Sequence, residues 1–109
     1  MDKRSTYLMD YISKAIVHPD VSGFEALELL DVRSRLASRE PLLDELSKVR
    51  LEDLDRQLVQ MSGIWLERIS EVAGLAEMRR RSHVLPSHWW WYLDEIASAK
   101  RKTAAEHHS

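Results

Sequence analysis

The stretch SGFEALELLDVRSRLA, residues 22–37, carries apolar residues around more than half of a helical circumference. Ser22 has a hydroxyl that can cap a helix, and Glu25 follows three residues later, an arrangement that marks a helix start. A helix this broadly apolar is covered on two sides. The sequence therefore predicts a central helix from Phe24 to Ala37. Its apolar residues are Ala26, Leu27, Leu29, Leu30, Val32, Leu36 and Ala37.

Further segments with apolar residues at i, i+3 and i+4 predict helices over 5–17, from Lys48 onward, and over 88–102. Pro41 suits the first position of a short helix over 41–46. An unbroken helix over 51–81 would be about 46 Å long, against a radius of gyration near 13 Å for a compact chain of this length, so a kink or stop is expected near Gly74. The serines predicted to cap these helices are Ser5, Ser47 and Ser87.

No stretch combines strict alternation with β-branched residues, so no strand is predicted. The expected fold class is all-α: a compact bundle of four main helices plus one short helix, with no sheet. We expect the 109 residues to form a single domain, ordered over about 5–102, with a frayed polar tail over 103–109.

The composition narrows the classes of function. The net charge is -2, which gives no overall attraction to nucleic acid or anionic lipid. Cysteine is absent, which excludes a disulfide framework and a thiolate metal site. Charges interrupt every apolar run, so no membrane association is expected, and the N-terminus lacks the apolar stretch of a signal peptide. A cytoplasmic protein is the expectation.

The segment 87–92, SHWWWY, is the most unusual part of the sequence. On an α-helix, Trp89 would share the apolar side with Tyr92 and Ile96, and Trp90 would flank it. Trp91 would lie on the polar side, where its apolar area needs cover from its own chain or from another molecule. The sequence predicts that Trp90 and Trp91 form an interface with a protein partner.

Arg79, Arg80 and Arg81 form a basic cluster just before the tryptophans. Arginine and tryptophan dominate the energetics of protein interfaces, so we include all three arginines in the predicted interface. The expected function is a non-catalytic interaction module, an adaptor or a regulatory subunit, that forms a homodimer or binds another protein. Alternatively, the cluster contacts phosphates and the protein is a nucleic-acid-associated regulator.

No metal, cofactor or catalytic motif stands out. The histidines, including His83 and His88 on either side of a connector, lack a metal-ligand spacing. The acidic residues suit solvated helix faces, and the serines suit helix caps. We therefore predict no cofactor, no metal site and no catalytic residue, and keep as a second alternative an enzyme whose site is assembled from scattered residues.

Overall fold

The computed structural model describes the backbone of residues 2–107 and the side chains of residues 2–102. Within that part of the chain there are six α-helices and two short 3-10 helices, and no strand. The predicted all-α fold is confirmed. The α-helices are α1 Lys3–Val17, α2 Gly23–Ala37, α3 Glu45–Gln60, α4 Ser62–Ser70, α5 Leu75–Arg81 and α6 Leu93–His107, and the 3-10 helices are Glu40–Leu42 and Trp89–Tyr92.

Helix α2 lies at the centre of the fold, as predicted, with α1 on one side and α4 on another. The Ser22 hydroxyl accepts a hydrogen bond from the Glu25 amide at 3.1 Å, and the Glu25 carboxylate accepts one from the Ser22 amide at 3.3 Å. The predicted capping arrangement is therefore confirmed. It satisfies two amides that the helix itself leaves without partners.

Gly23 is the point where the start of α2 meets the end of α4. A Cβ atom added at this position would overlap the carbonyl oxygen of Arg68 and lie 2.8 Å from Val72 Cγ2. Only glycine allows the two backbones to come this close. This contact fixes the crossing of α2 and α4.

The predicted caps at Ser5 and Ser47 are wrong by three residues. Asp2 caps α1 by accepting from the Ser5 amide at 2.7 Å, and Asp44 caps α3 by accepting from the Ser47 amide at 2.8 Å. The bond from the Ser5 backbone, followed by the bond from Arg39, lowers the pKa of Asp2 to about 2. Aspartate is as good a cap as serine and adds a charge that suits a helix N-terminus.

The long third segment divides into three helices, which makes the predicted helix count too low. The chain bends at Met61 between α3 and α4, and then leaves helical structure before Gly74, where a stop was expected. Lys100 from α6 donates to the carbonyl oxygens of Val59 and Gln60 at 3.2 and 2.9 Å. These bonds tie α6 to the end of α3.

The last helix differs from its prediction at both ends. It begins at Leu93, because residues 89–92 form a 3-10 helix without a side-chain cap, so Ser87 does not serve as the predicted cap. It continues to His107, beyond the predicted end at Lys102, and residues 108 and 109 of the predicted tail lie outside the described part. None of the described helices is both long enough and apolar enough to cross a membrane.

Candidate functional site

The tryptophan segment is reached through a tight reversal after α5. His83 has a φ of 49°, the left-handed conformation that often follows the last turn of a helix. The Val84 amide donates back to the Arg79 carbonyl at 3.4 Å. Bonds from His88 to Leu85 and from Trp91 to His88, at 3.0 and 3.1 Å, then carry the chain into the 3-10 helix Trp89–Tyr92.

Trp90 is buried, with 2% of its surface exposed. His88 stacks on its ring at 4.6 Å between centroids, and Trp89 meets it edge-on at 5.5 Å. The Arg33 guanidinium lies 4.2 Å from the centroid of the same ring. The prediction that Trp90 flanks the apolar side is therefore wrong, because this residue lies in the core.

Arg33 is a buried cation on the central helix, with 3% of its side chain exposed. Its Nε and Nη2 atoms donate to both carboxylate oxygens of Asp55 at 2.8 and 2.9 Å, and Nη2 also donates to Glu40 at 3.0 Å. Two carboxylates and the face of one indole ring thus offset the positive charge of the guanidinium. A buried cation is costly unless its donors are paired, and of the guanidinium nitrogens only Nη1 has no hydrogen-bond partner among the described residues.

Ser34 joins the tryptophans to the central helix. Its hydroxyl oxygen accepts hydrogen bonds from the indole nitrogens of Trp90 and Trp91 at 2.9 and 2.8 Å, and His88 Nδ1 lies 3.4 Å away. Because both lone pairs of the oxygen are occupied, it is a poor nucleophile despite the neighbouring histidine. Ser34 therefore acts as an anchor for the two indoles.

Trp89 is half-buried, as Trp91 and Tyr92 are, and one side of it lines open surface. A 3-10 helix turns about 120° per residue, which places Trp89 and Tyr92 directly above one another. Both line an open hollow of about 420 Å³ with Pro86, Glu95, Ile96 and Ala99. The sequence predicted that Trp89 lies in the core. Trp89 packs against the core but is only half-buried, and the fully buried row of this region is Trp90, Leu93 and Ala97.

A second cavity, of about 440 Å³, opens on the other side of Trp89. Leu85, with 58% of its surface exposed, and Ser87 form part of its rim, and Arg33, Glu40 and His88 also line it. We define the aromatic surface as Leu85, Pro86, Trp89, Tyr92 and Ile96. It joins both cavities through Trp89.

Trp91 is half-buried rather than fully exposed, although the α-helical spacing placed it on the polar side. Its ring packs against the edge of the core while its indole N–H is bonded to Ser34. The structure thus covers part of the apolar area that motivated the interface prediction. The role of Trp91 in an interface stays a prediction.

The arginine cluster divides into one internal and two exposed side chains. Arg79 donates to Asp94 at 2.7 Å and to the Trp91 carbonyl at 2.8 Å, and its guanidinium lies 4.3 Å from the Tyr92 ring centroid. Burial acts to raise the pKa of Asp94, but the hydrogen bond and charge of Arg79 outweigh it, so the pKa is below its usual value. Arg79 thereby holds α5 against the start of α6.

Arg80 and Arg81 are exposed at the end of α5. Arg81 forms an ion pair with Glu77 at 3.0 Å, one turn earlier on the same helix. Among the described residues, Arg80 has no ion-pair partner. Two guanidinium groups of the predicted cluster therefore face solvent.

The described part of the chain contains no group of three or more histidine, aspartate and glutamate side chains that could hold a metal ion. His83 and His88 do not form a common site: His83 is exposed, whereas His88 stacks on Trp90. No family model, no curated protein and no solved structure matches this chain. The geometry of the tryptophan segment is therefore the basis for inferring a function.

Sequence reasoning missed Arg33, Ser34 and His88 as parts of this site. One signal was present: Arg33 stands between Leu29, Leu30 and Leu36 at the spacing of the apolar side of α2. A charged residue in that position indicates a buried ion pair. No comparable signal marks Ser34, because its partners come from residues more than 50 positions away in the chain.

Proposed function

We propose that this protein is a small helical module that binds another protein, and that the contact is made by the aromatic surface together with Trp91, Arg80 and Arg81. The observation that carries the proposal is the open hollow beside Trp89, with Tyr92 in line with it. Tryptophan, tyrosine and arginine are the residue types most often found at the energetic centres of interfaces.

The packing beneath this surface supports the same proposal. The sequence also placed Trp90 and Arg79 in the interface. Trp90 contacts the half-buried ring of Trp89, and Arg79 contacts that of Tyr92, so both hold these rings from the protein side. Side chains that are already fixed lose less conformational freedom when a partner binds. We therefore assign Trp90 and Arg79 a positioning role.

A second copy of the chain is the partner to test first. Sedimentation of the pure protein over a range of concentrations should show a dimer. Trp89→Ala should weaken it by about thirtyfold, the size expected for a central interface residue. Trp91→Ala tests the residue that the sequence singled out, and Arg80→Ala should have a smaller effect at the edge of the contact.

Leu46→Ala is the matched control, because Leu46 is an apolar residue with 85% of its surface exposed that lines neither cavity. It should leave the dimer unchanged. An equal loss in Leu46→Ala and Trp89→Ala would contradict the proposed surface. If the protein is a monomer at every concentration, the proposal requires a different partner. Proteins from a host extract that bind to the Leu46→Ala variant should then fail to bind to the Trp89→Ala variant.

The internal ion pair of Arg79 favours a protein partner over nucleic acid. With Arg79 bonded to Asp94 and Arg81 paired to Glu77, only Arg80 of the cluster is left without an ion-pair partner among the described residues. Phosphate binding depends on several unneutralised cations and weakens steeply as salt rises. Salt-sensitive binding to an oligonucleotide, abolished by Arg80→Ala, would favour the nucleic-acid alternative.

A further inference from the structure

The hydrogen bonds around Ser34 include a contact with a histidine ring. A serine hydroxyl can accept two hydrogen bonds and donate one, and an indole nitrogen can only donate. Trp90 and Trp91 occupy both acceptor positions of Ser34. The hydroxyl proton is therefore left for His88 Nδ1, at a long 3.4 Å. A neutral His88 ring with its proton on Nε2 can accept this proton, whereas an imidazolium cannot.

Protonation of His88 would place three donors around one oxygen. The imidazolium carries a proton on Nδ1, so it would compete with Trp90 and Trp91 for two lone pairs, and the hydroxyl proton would lose its acceptor. One donor must then leave. A buried donor without a partner is costly, so the arrangement of the indoles changes with the charge on His88.

The charged groups around His88 come from two elements. Arg33 on α2 lies against the same Trp90 ring on which His88 stacks, so a protonated His88 would add a second cation to that ring. Glu40, from the first 3-10 helix, lines the same cavity and favours the cation, but it already pairs with Arg33. The connector and the second 3-10 helix contribute only uncharged residues to this cavity, Leu85, Ser87, Trp89 and Trp90.

We infer that protonation of His88 releases at least one of the Trp90 and Trp91 indoles from Ser34 and thereby loosens the aromatic surface, so that partner binding weakens as the pH falls. Trp89 transmits the change, because it packs edge-on against Trp90. The regulatory consequence rests on the proposed interaction function. The release of the indoles does not, and it can be measured on the protein alone.

The test follows the indole N–H signals of Trp90 and Trp91 by nuclear magnetic resonance between pH 8 and pH 5, where histidine changes charge. In the wild type, both indole signals should shift over the same pH range as the His88 ring signals. The solvent exchange of at least one indole proton should also rise about tenfold, after correction for the intrinsic dependence of exchange on pH. His88→Gln has no charge to gain and should hold both signals fixed. His18→Gln, at an exposed histidine, should behave as the wild type.

Two results would overturn the inference: indole signals that do not change with pH in the wild type, or an equal change in His88→Gln. Ser34→Ala provides an independent check, because it removes the shared oxygen and should make the exchange of both indole protons faster than in the wild type and independent of the charge on His88. If the indoles respond to pH as expected but Trp89→Ala leaves all binding unchanged, the effect of His88 protonation on the indoles is supported and the proposed function is wrong. The two failures are therefore distinguishable.

Discussion

Two tryptophans are almost completely buried in this protein, and they are held in different ways. Trp65 lies within the regular helix α4 with 0% exposure, and among the described residues its indole nitrogen has no hydrogen-bond partner. Trp90 lies in a 3-10 helix with 2% exposure and is surrounded by the polar groups of Arg33, Ser34 and His88. Packing alone holds the first, whereas packing and a polar network hold the second.

The difference separates the structural core from the candidate site. Apolar packing tolerates changes in pH and salt, because it depends on area removed from water. A network of hydrogen bonds around a histidine responds to protonation. We therefore expect the region of Trp65 to determine stability and the region of Trp90 to control the shape of the surface.

The largest expected effect is at the packed tryptophan. Trp65→Ala should lower the free energy of unfolding by about 3 to 5 kcal/mol, the usual range for removing a large buried ring. Urea unfolding followed by circular dichroism measures it. The neighbouring Ile64 is 41% exposed, and Ile64→Ala should cost less than about 1 kcal/mol. Similar costs for the two variants would mean that α4 is rotated relative to this structure.

Arg33→Met tests the polar network around Trp90. Removing the guanidinium leaves Asp55 partly buried without its partner, so we expect a loss of about 3 kcal/mol together with a change in tryptophan fluorescence. Arg35 on the same helix is exposed and pairs only with Asp31, so Arg35→Met should cost less than about 0.5 kcal/mol. Equal effects would contradict a special role for the buried cation.

Gly23 and Gly63 form a second matched pair that tests the packing around α4. An alanine at Gly23 would collide with the backbone of Arg68, so Gly23→Ala should cost about 2 kcal/mol. Nothing lies within 4 Å of a Cβ at Gly63, in the first turn of α4, and Gly63→Ala should gain up to about 1 kcal/mol. Thermal unfolding compares the two. A gain in both would show that the helices separate easily at Gly23.

Regular helical periodicity predicted the central place of α2, because this segment is an uninterrupted α-helix. It failed at Trp89 and Trp90, because the 3-10 geometry rotates each side chain relative to the α-helical expectation. The caps of α1 and α3 were misplaced because Asp2 and Asp44 stand three residues before equally plausible serines. The Ser34 contacts were invisible, since long-range hydrogen bonds leave no local pattern.

The smallest effect, and the sharpest test of the comparison, is the contribution of a single N–H group. Trp65→Phe and Trp90→Phe both remove part of a buried ring, so the cost of the lost volume is similar in the two variants. The two variants differ in whether the N–H group that they remove makes a hydrogen bond. At Trp65 the change removes a buried donor that has no partner among the described residues, while at Trp90 it breaks the bond to Ser34. A hydrogen bond contributes about 1 kcal/mol net, so Trp90→Phe should be the more costly variant by at least that amount.

Equal losses in urea unfolding would mean that Ser34 contributes nothing to holding Trp90. In Ser34→Ala as background the difference between the two phenylalanine variants should shrink, because the acceptor is already gone.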